Sequence, residues 1–469
     1  MSNLLESYKN RLAVSESVYQ KSHNGAKMSN SKKLMIATVL NNTSKFLNES
    51  FTSAAATNRA DIGAYKKFCL NISTVALPNL ILPELMLTQP MTSITGFITY
   101  LKFTAGVTKG GVTEDTMFNS VYRQGAMDTK RMDYTSDRVV EIANATSYTP
   151  AWQPVVSSSV KVETSTNVWD DGEVTVDPET NVTTITNAVS GLRVRYEYNN
   201  VAIPQTGDSK NSIPTLNAKM ESVILTAKAR RIAVYYSQIA AFQAKTDYGT
   251  DIATELTTQA QGELAYEIDS EGVWMLHEGA EKDGTLSFPC YEDAVKIAIG
   301  GTYISRSQYY ETFSEIFARA KQVIYKRTQK FSPNYAIVGS NIATILPYLK
   351  DWKAAPATEV NGPYFAGTVG NVKVFVSPMF GENEFVFGVN GTDLKASAAV
   401  YAPYMAIVPT QLLGFADGTM SQGFSTMYDM KLLSTYNEDG SEPADGETGD
   451  FSYLLVKGVM TDTSKNITE

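Results

Sequence analysis

A lysine among glycines, Thr108-Lys109-Gly110-Gly111, is the nearest this chain comes to a phosphate cradle. A phosphate loop needs a leading glycine and the order Gly-Lys-Ser/Thr, so that backbone N–H groups and the lysine converge on the phosphates. Both features are missing, and no nucleotide site is expected. The carboxylates of Asp170-Asp171, and of Asp247 and Asp251, have the oxygen chemistry for a hard cation. They lack EF-hand spacing and read as a turn and a helix start. Cys69 and Cys290 lie far apart, and His23 and His277 are the only imidazoles. Two cysteines make neither a disulfide framework nor a Cys-rich zinc site, and two histidines disfavour a His-ligated metal or a Ser–His hydrolase. Cys290, beside Pro289, reads as a small buried hydrophobe, and His277 as a helix-end residue near the dipole. Acidic pairs abound, but spacing alone assigns no acid–base dyad. No catalytic residue, cofactor or metal is expected.

The elements that could position anything come from 469 residues, 43% of them hydrophobic, with a net charge of -9. That is ample for a large core, in two to four modules at roughly 150 residues each. An acidic chain is a poor general nucleic-acid binder. The opening MSNLLESYKNRLAVSESVYQ lacks an apolar export region, and STVALPNLILPELML is too short and too interrupted by proline to span a bilayer. A soluble protein made in the cytoplasm is expected. The first fifty residues carry seven basic and three acidic side chains, a net of +4 against −13 for the rest. Leu5, Tyr8 and Leu12, then Leu34, Ile36, Val39, Leu40 and Phe46, predict two amphipathic helices around the polar linker SHNGAKMSNS. They form either a solvated arm or a segment that docks on an acidic partner or is later removed. Residues 50–70 read as an extended or mobile connector.

After Pro78, Pro83 and Pro90, the run from Ile94 to Phe103 has the β-branched and aromatic content of a strand. Between about 104 and 204, VVSSSVKVETSTNVW, EVTVDPETNVTTITNAV and GLRVRYEYNNVAIP alternate with period two. Turns are expected at Asp170-Asp171-Gly172, Asp177-Pro178 and Ser190-Gly191. This β-rich module has few large apolar residues and must lean on something else. Beyond Pro214 the pattern changes to helix: Val223, Ile224, Lys228 and Arg230-Arg231 stand in a strand or helix-entry context, and an apolar face follows at Ile232, Tyr235, Tyr236, Ile239 and Phe242. A second helix then carries Ile252, Leu256, Ala260, Leu264 and Ile268. A helix of about 25 residues is a rod of roughly 38 Å. A further amphipathic helix over 307–329 precedes an α/β pattern. Its strands are Tyr335–Val338, Asn371–Val376, Phe385–Gly388, Ala399–Tyr401, Met405–Val408 and Leu454–Val456, with a short helix from Asn341 to about Trp352. NEDGSEPADGETGD, late in the chain, reads as an acidic loop.

Four stretches in order resemble the major capsid proteins of T-even-like myophages. They are VALPNLILPELMLTQPMTSITGFITYLKF (75–103), LTAKARRIAVYYSQIAAFQAKTDYGTDIATELTTQAQGELAYEIDSEGVWML (225–276), NYAIVGSNIATILPYL (334–349), and YAPYMAIVP (401–409) with GFSTMYDMKLL (423–433). The resemblance covers most of 75–460. It implies an α+β chain of the Hong Kong 97 bacteriophage-type capsid fold. Residues 1–70 would be an N-terminal helical and extended arm and 71–103 the start of the capsid core. Residues 104–204 would hold the extended β loop with room for an inserted subdomain. Residues 205–335 would be the peripheral domain with its spine helix, and 336–469 the axial domain and the return to the peripheral one. It also implies a non-enzymatic subunit that assembles with itself into hexamers and pentamers of an icosahedral head. Scaffold, portal and decoration or vertex proteins would be its partners, and double-stranded DNA would be enclosed without specific binding or any membrane. Relatives often lose an arm to a maturation protease after Leu/Ile-x-Glu. Leu47-Asn48-Glu49 before Ser50 fits that pattern, as does Leu4-Leu5-Glu6 before Ser7, and the bond between Glu49 and Ser50 is the expected cut. The rival readings are an encapsulin-type compartment subunit and a β-rich surface or adhesion protein.

Overall fold

The structure, a computed structural model, describes residues 2–22, 27–52, 69–70, 74, 77–78, 80–109, 134, 136–178, 182–198, 214–247, 252–291, 305–328, 330–355, 362–410, 413–437 and 448–461. They form two units, one from Met1–Ile98 and Ser222–Glu469, the other from Thr99–Glu221. The expected connector at 50–70 falls almost wholly outside the described residues.

The first unit opens with three helices, α1 Ser2–Ser7, α2 Lys9–Ser22 and α3 Asn30–Thr52. The two helices expected here are present, the first divided at Tyr8 into α1 and α2, but their environment differs from a solvated arm. Met35, Ile36, Ala37, Val39 and Leu40 of α3 are fully buried within the largest core cluster. The helical turn α4, Leu82–Leu85, and the short strand β1, Leu87–Thr88, follow. The strand expected after Pro90 is β2, Thr95–Ala105.

Apart from one 3-10 turn at Ser157–Ser159, the regular structure described in the second unit is all β. Strands β3 Arg138–Ile142, β4 Lys161–Ser165, β5 Val168–Asp171 and β8 Arg193–Glu197 form an antiparallel sheet in the order β3-β8-β4-β5. Strands β6 Val174–Val176 and β7 Thr183–Ile185 form a separate hairpin. One small cluster, centred on Val139, Trp152, Val162, Ile185, Val194, Tyr196 and Tyr198, is its main core. The β4–β5 turn falls at Thr166-Asn167, earlier than the sequence suggests. Asn167 takes φ 66° there, a left-handed conformation that asparagine tolerates. Asp170 and Asp171 therefore lie in β5.

The chain leaves through β9, Leu216–Thr226, which pairs with β2, and continues into β10, Lys228–Ser237. Helix is expected from Ile232 onward, with strand or helix entry left open before it, and the structure shows strand up to Ser237. Ile232, Val234 and Tyr236 are half-buried and alternate with exposed Ala233 and Tyr235, the period of two that a strand imposes. Helices α5, Gln238–Asp247, and α6, Ile252–Glu278, come next. The expected rod is thus α6, 27 residues long.

Strand β11 Glu281–Pro289, helices α7 Arg306–Glu311 and α8 Ser314–Thr328, strand β12 Tyr335–Val338 and helix α9 Ser340–Ala343 follow. The helix expected over 307–329 is thus interrupted near Thr312. The one expected from Asn341 ends early, because Pro347 follows and the chain turns into β13, Trp352–Ala354. The remaining strands are β14 Tyr364–Val369, β15 Val372–Val376, β16 Glu384–Gly388, β17 Ala399–Pro409, β18 Leu413–Gly414, β19 Thr419–Leu432, β20 Thr435–Tyr436, β21 Phe451–Ser452 and β22 Leu455–Thr461.

Two sheets organise this unit. A seven-stranded sheet runs β11-β22-β16-β12-β15-β14-β13. Phe313, in the turn before α8, and Phe317 of α8 cover it, edge-on to Phe385 and Phe387 at 5.8 and 5.0 Å between ring centroids. The second sheet runs β1-β17-β19-β10, with β18 added on β19. Strand β17 is buried along nearly its whole length because it is covered twice. Met405 and Val408 pack with Leu47 of α3, while Ile407 packs with Ala260 and Leu264 of α6. Register shifts on both sides of Met405 let positions 405 and 408 share a face. Helices and strands are thus mixed within one core, an α+β organisation.

Candidate functional site

The residues that sequence singled out for chemistry are not brought together. Lys109 is 1% exposed, and its ammonium donates to the carbonyls of Tyr134, at 3.1 Å, and Ser136, and to Tyr198 Oη at 3.1 Å. The Trp152 and Tyr198 rings lie 5.3 and 4.8 Å from it. This lysine is an internal tie of the second unit. Gly110 and Gly111 lie outside the described residues, as do His23 and Asp251. Asp170 accepts from Thr164 Oγ1 at 3.1 Å, and Asp171 pairs with Lys161. Cys69 and Cys290 are both buried, in separate clusters. His277 is held between Glu384, at 2.7 Å from Nε2, and the rings of Trp274 and Phe380. Glu49 and Ser50 fall in the final turns of α3. Among the described residues no group of acidic, histidine or cysteine side chains could hold a metal ion, and no described helix is long and apolar enough to cross a membrane.

What the first unit offers instead is surface. Ile232 and Val234 of β10 pack toward Ala260 and Leu264 of α6. Tyr235 is on the other face of the strand and 65% exposed. Across the ladder it stands opposite Ser421, which is opposite Leu413. Residues directly opposite share a face, so Tyr235 and the exposed Leu413 lie on one side of the sheet. Exposed Phe415 continues that row, its N–H bonded to the Thr419 carbonyl. Strand β10 has β19 on one edge and no described strand on the other, an open ladder of the kind that pairs with another chain. Helix α5 follows directly with none of its ten residues buried, and with Ile239 and Phe242 exposed at 71% and 73%. An apolar helix face with no cover from the described residues marks an interaction surface.

Two polar locks escaped sequence reasoning. In the first unit, Lys32 of α3 is buried, with Nζ 3.4 Å from the Leu80 carbonyl and 4.5 Å above the Tyr19 ring. Tyr19 Oη donates to Glu84 at 2.7 Å, and Glu84 pairs with Lys373 at 2.9 Å. Asp269 of α6 accepts from the N–H groups of Ile81 and Leu82 at 3.2 and 3.3 Å, capping α4, which has no cap of its own. Gly272, one turn later, permits that approach, since a Cβ there would lie 2.2 Å from Leu82 Cδ2. Burial pushes the Asp269 carboxyl up to about 7, against the pull of those N–H donors and of Lys32. Burial likewise lowers Lys32 to about 8, against the pull of Glu84 and Asp269. In the second unit, Arg193 grips Glu163 through Nε at 2.8 Å and Nη2 at 2.6 Å. The backbone N–H groups of Asn167 and Arg193 add 2.7 and 3.1 Å bonds. The guanidinium, then these amides, hold the Glu163 carboxyl down at about 2. Each lock joins residues far apart in sequence, so no local pattern signals it.

Comparison with known proteins gives the context. The family described as Major capsid protein Gp23 matches residues 62–454. The major capsid protein of Vibrio phage KVP40 is 23% identical over 248 residues, which cover 48% of this chain and 47% of that protein. The major capsid protein of Enterobacteria phage T4 is 21% identical over 428 residues, 82% of this chain and 81% of that one. Among solved structures, the capsid of Myoviridae phage XM1 aligns with 73% of this chain and 96% of its own, at 8% identity and a TM-score of 0.34. With its family pattern running through both units, the chain belongs to the major capsid protein Gp23 family.

Proposed function

We propose that this chain is the repeating shell subunit of a tailed-phage head. It assembles with itself into hexamers and pentamers that enclose double-stranded DNA, and it works by association rather than catalysis. The observation that carries the reading, beside family membership, is helix α5: ten residues with none buried, standing next to an open strand edge. Such a surface is costly in a lone molecule and useful in one surrounded by copies of itself. Burying one Phe side chain is worth about 1.5–3 kcal/mol, and a closed shell repeats that gain at every contact.

The fold is of the Hong Kong 97 bacteriophage type, with α6 as the spine of the peripheral domain and the seven-stranded sheet in the axial domain. Residues 104–204 hold the extended loop, and 1–70 form the arm, from which a maturation protease removes the segment up to Glu49. Scaffold, portal and decoration or vertex proteins are its other partners. Assembly takes place in the host cytoplasm, and the product is the virion capsid.

Electron microscopy of the purified chain tests this directly. Closed shells or capsomer rings are expected, and Phe242→Asp should abolish them while leaving the thermal unfolding of the subunit within about 2 °C, since an exposed side chain contributes little to the monomer. Shells that form normally with Asp at 242 would remove α5 from the assembly contacts. A chain that stays monomeric at high concentration, with and without scaffold, would overturn the whole reading.

A further inference from the structure

The bond expected to be cut is not presented for cutting. Nicking concentrates at exposed loop tips, because a scissile segment must give up its own backbone hydrogen bonds to lie extended in a protease cleft. Leu47, Asn48, Glu49 and Ser50 instead belong to α3, which runs unbroken to Thr52. The second half of that helix is fastened down turn by turn. Asn42 Nδ2 donates to the carbonyls of Met91 at 2.7 Å and Tyr404 at 3.0 Å. Thr43 is fully buried, and its Oγ1 accepts from the Ala406 N–H at 3.3 Å. Leu47, one turn on, is 3% exposed in a cluster with Cys69, Met405 and Val408. The seat is β17, the YAPYMAIVP segment that sequence reading singled out and to which no role attaches so far.

We infer that the Glu49–Ser50 bond is conformationally gated: the subunit withholds it until the end of α3 lifts from β17 and Leu47 leaves its place against Met405 and Val408. This rests on the reading of Glu49 as the maturation site and concerns the control of that site. The step itself is hydrolysis. Water adds to the Glu49 carbonyl carbon, the bond to the Ser50 nitrogen breaks, and a carboxylate and an amine result, with the protease supplying the catalysis. When opening is fast relative to cutting, the rate follows the population of the open form. A packing change at β17, nearly 360 residues away in sequence, thereby sets the rate at which the arm is released.

The test uses the full chain and a glutamyl endopeptidase, following by mass spectrometry the fragment that begins at Ser50. The ungated reference is a synthetic peptide of residues 41–56, in which Glu49 is the only acidic residue. The folded chain should be cut at Glu49 at least roughly 100-fold more slowly than the peptide. Leu47→Ala should raise the rate on the chain roughly 10- to 100-fold, and on the matching peptide by no more than about twofold. Val408→Ala, which leaves the scissile sequence intact, should act in the same direction, so the result does not hang on one variant. A native chain cut as fast as the peptide would overturn the gate, as would both variants leaving the rate unchanged. The N-terminal residue of assembled particles decides the maturation reading separately. Particles that begin upstream of Ser50 would end that reading while the gate stayed measurable, and an ungated bond would end the gate whichever residue the particles begin with.

Discussion

Replacing Lys109 by methionine is the sharpest probe of how the second unit holds together. The change keeps the length of the side chain and removes its ammonium, leaving two backbone carbonyls, of Tyr134 and Ser136, without the donor that now serves them, while Tyr198 loses the donor on its Oη. A buried acceptor stripped of its partner costs about 1–3 kcal/mol. The contacts with the Trp152 and Tyr198 rings add about 0.5–2 kcal/mol. Against this stands the desolvation of a cation, which methionine avoids. The balance is a loss of about 2–4 kcal/mol, applied to a unit whose main core is a small cluster around Trp152 and Tyr196. Amide hydrogen exchange read by mass spectrometry resolves the two units in the intact protein. Protection over Arg138–Ile142 and Arg193–Glu197 should fall roughly 30- to 1,000-fold, at about 1.4 kcal/mol per tenfold, while Tyr335–Val338 and Glu384–Gly388 keep theirs. Unchanged protection in Arg193–Glu197 would show that the ammonium contributes nothing net. An equal loss in both units would show that they do not open independently.

The two locks make opposite demands on pH. Glu163 has a folded-state carboxyl near 2 against an ordinary value of 4.5, so its contribution is complete above about pH 4.5 and is lost as pH falls toward 2. The carboxylate is covered by its neighbours yet close to solvent, and screening reduces the contribution to roughly 1–2 kcal/mol. Glu163→Gln should cost about that much at pH 7 and flatten the acid limb of unfolding, followed through Trp169, which lies beneath Arg193 and Arg195. An acid limb unaltered by the substitution would show that the pair is not coupled to folding. Asp269 works the other way. Its folded carboxyl near 7 lies above the usual 3.8, so the native state holds a proton that the unfolded chain releases, and stability falls as pH rises from about 4 to 7. Asp269→Asn should remove that slope in thermal unfolding of the first unit, and a slope unaltered by the substitution would refute the assignment.

The sequence discloses α6 plainly because Ile252, Leu256, Ala260, Leu264 and Ile268 return every four residues, and three of those positions, Ala260, Leu264 and Ile268, are indeed buried. The seven-stranded sheet is legible for a similar reason: its central strands are short apolar runs such as Tyr335–Val338, buried at every position. Strand β10 is misread because Tyr235, Ile239 and Phe242 look like one helical stripe, although Tyr235 lies in a strand and all three face solvent. Apolar spacing reports a buried face only when the chain supplies its own cover, and here the described residues supply none. The arm is misread for the converse reason. Lys32 counts as one of seven basic residues in a cationic segment, yet it is buried, and the groups that draw its charge inward, Glu84 and Asp269, stand 52 and 237 positions away. Charge pattern is a local quantity, while desolvation is settled by whatever the fold brings alongside. The same division runs through the whole molecule. Periodicity finds the elements, but the ties that lock α3 to β17, α4 to α6 and Glu163 to Arg193 join residues that no window contains. The faces left open by those ties are where a shell subunit has most to gain from a neighbour.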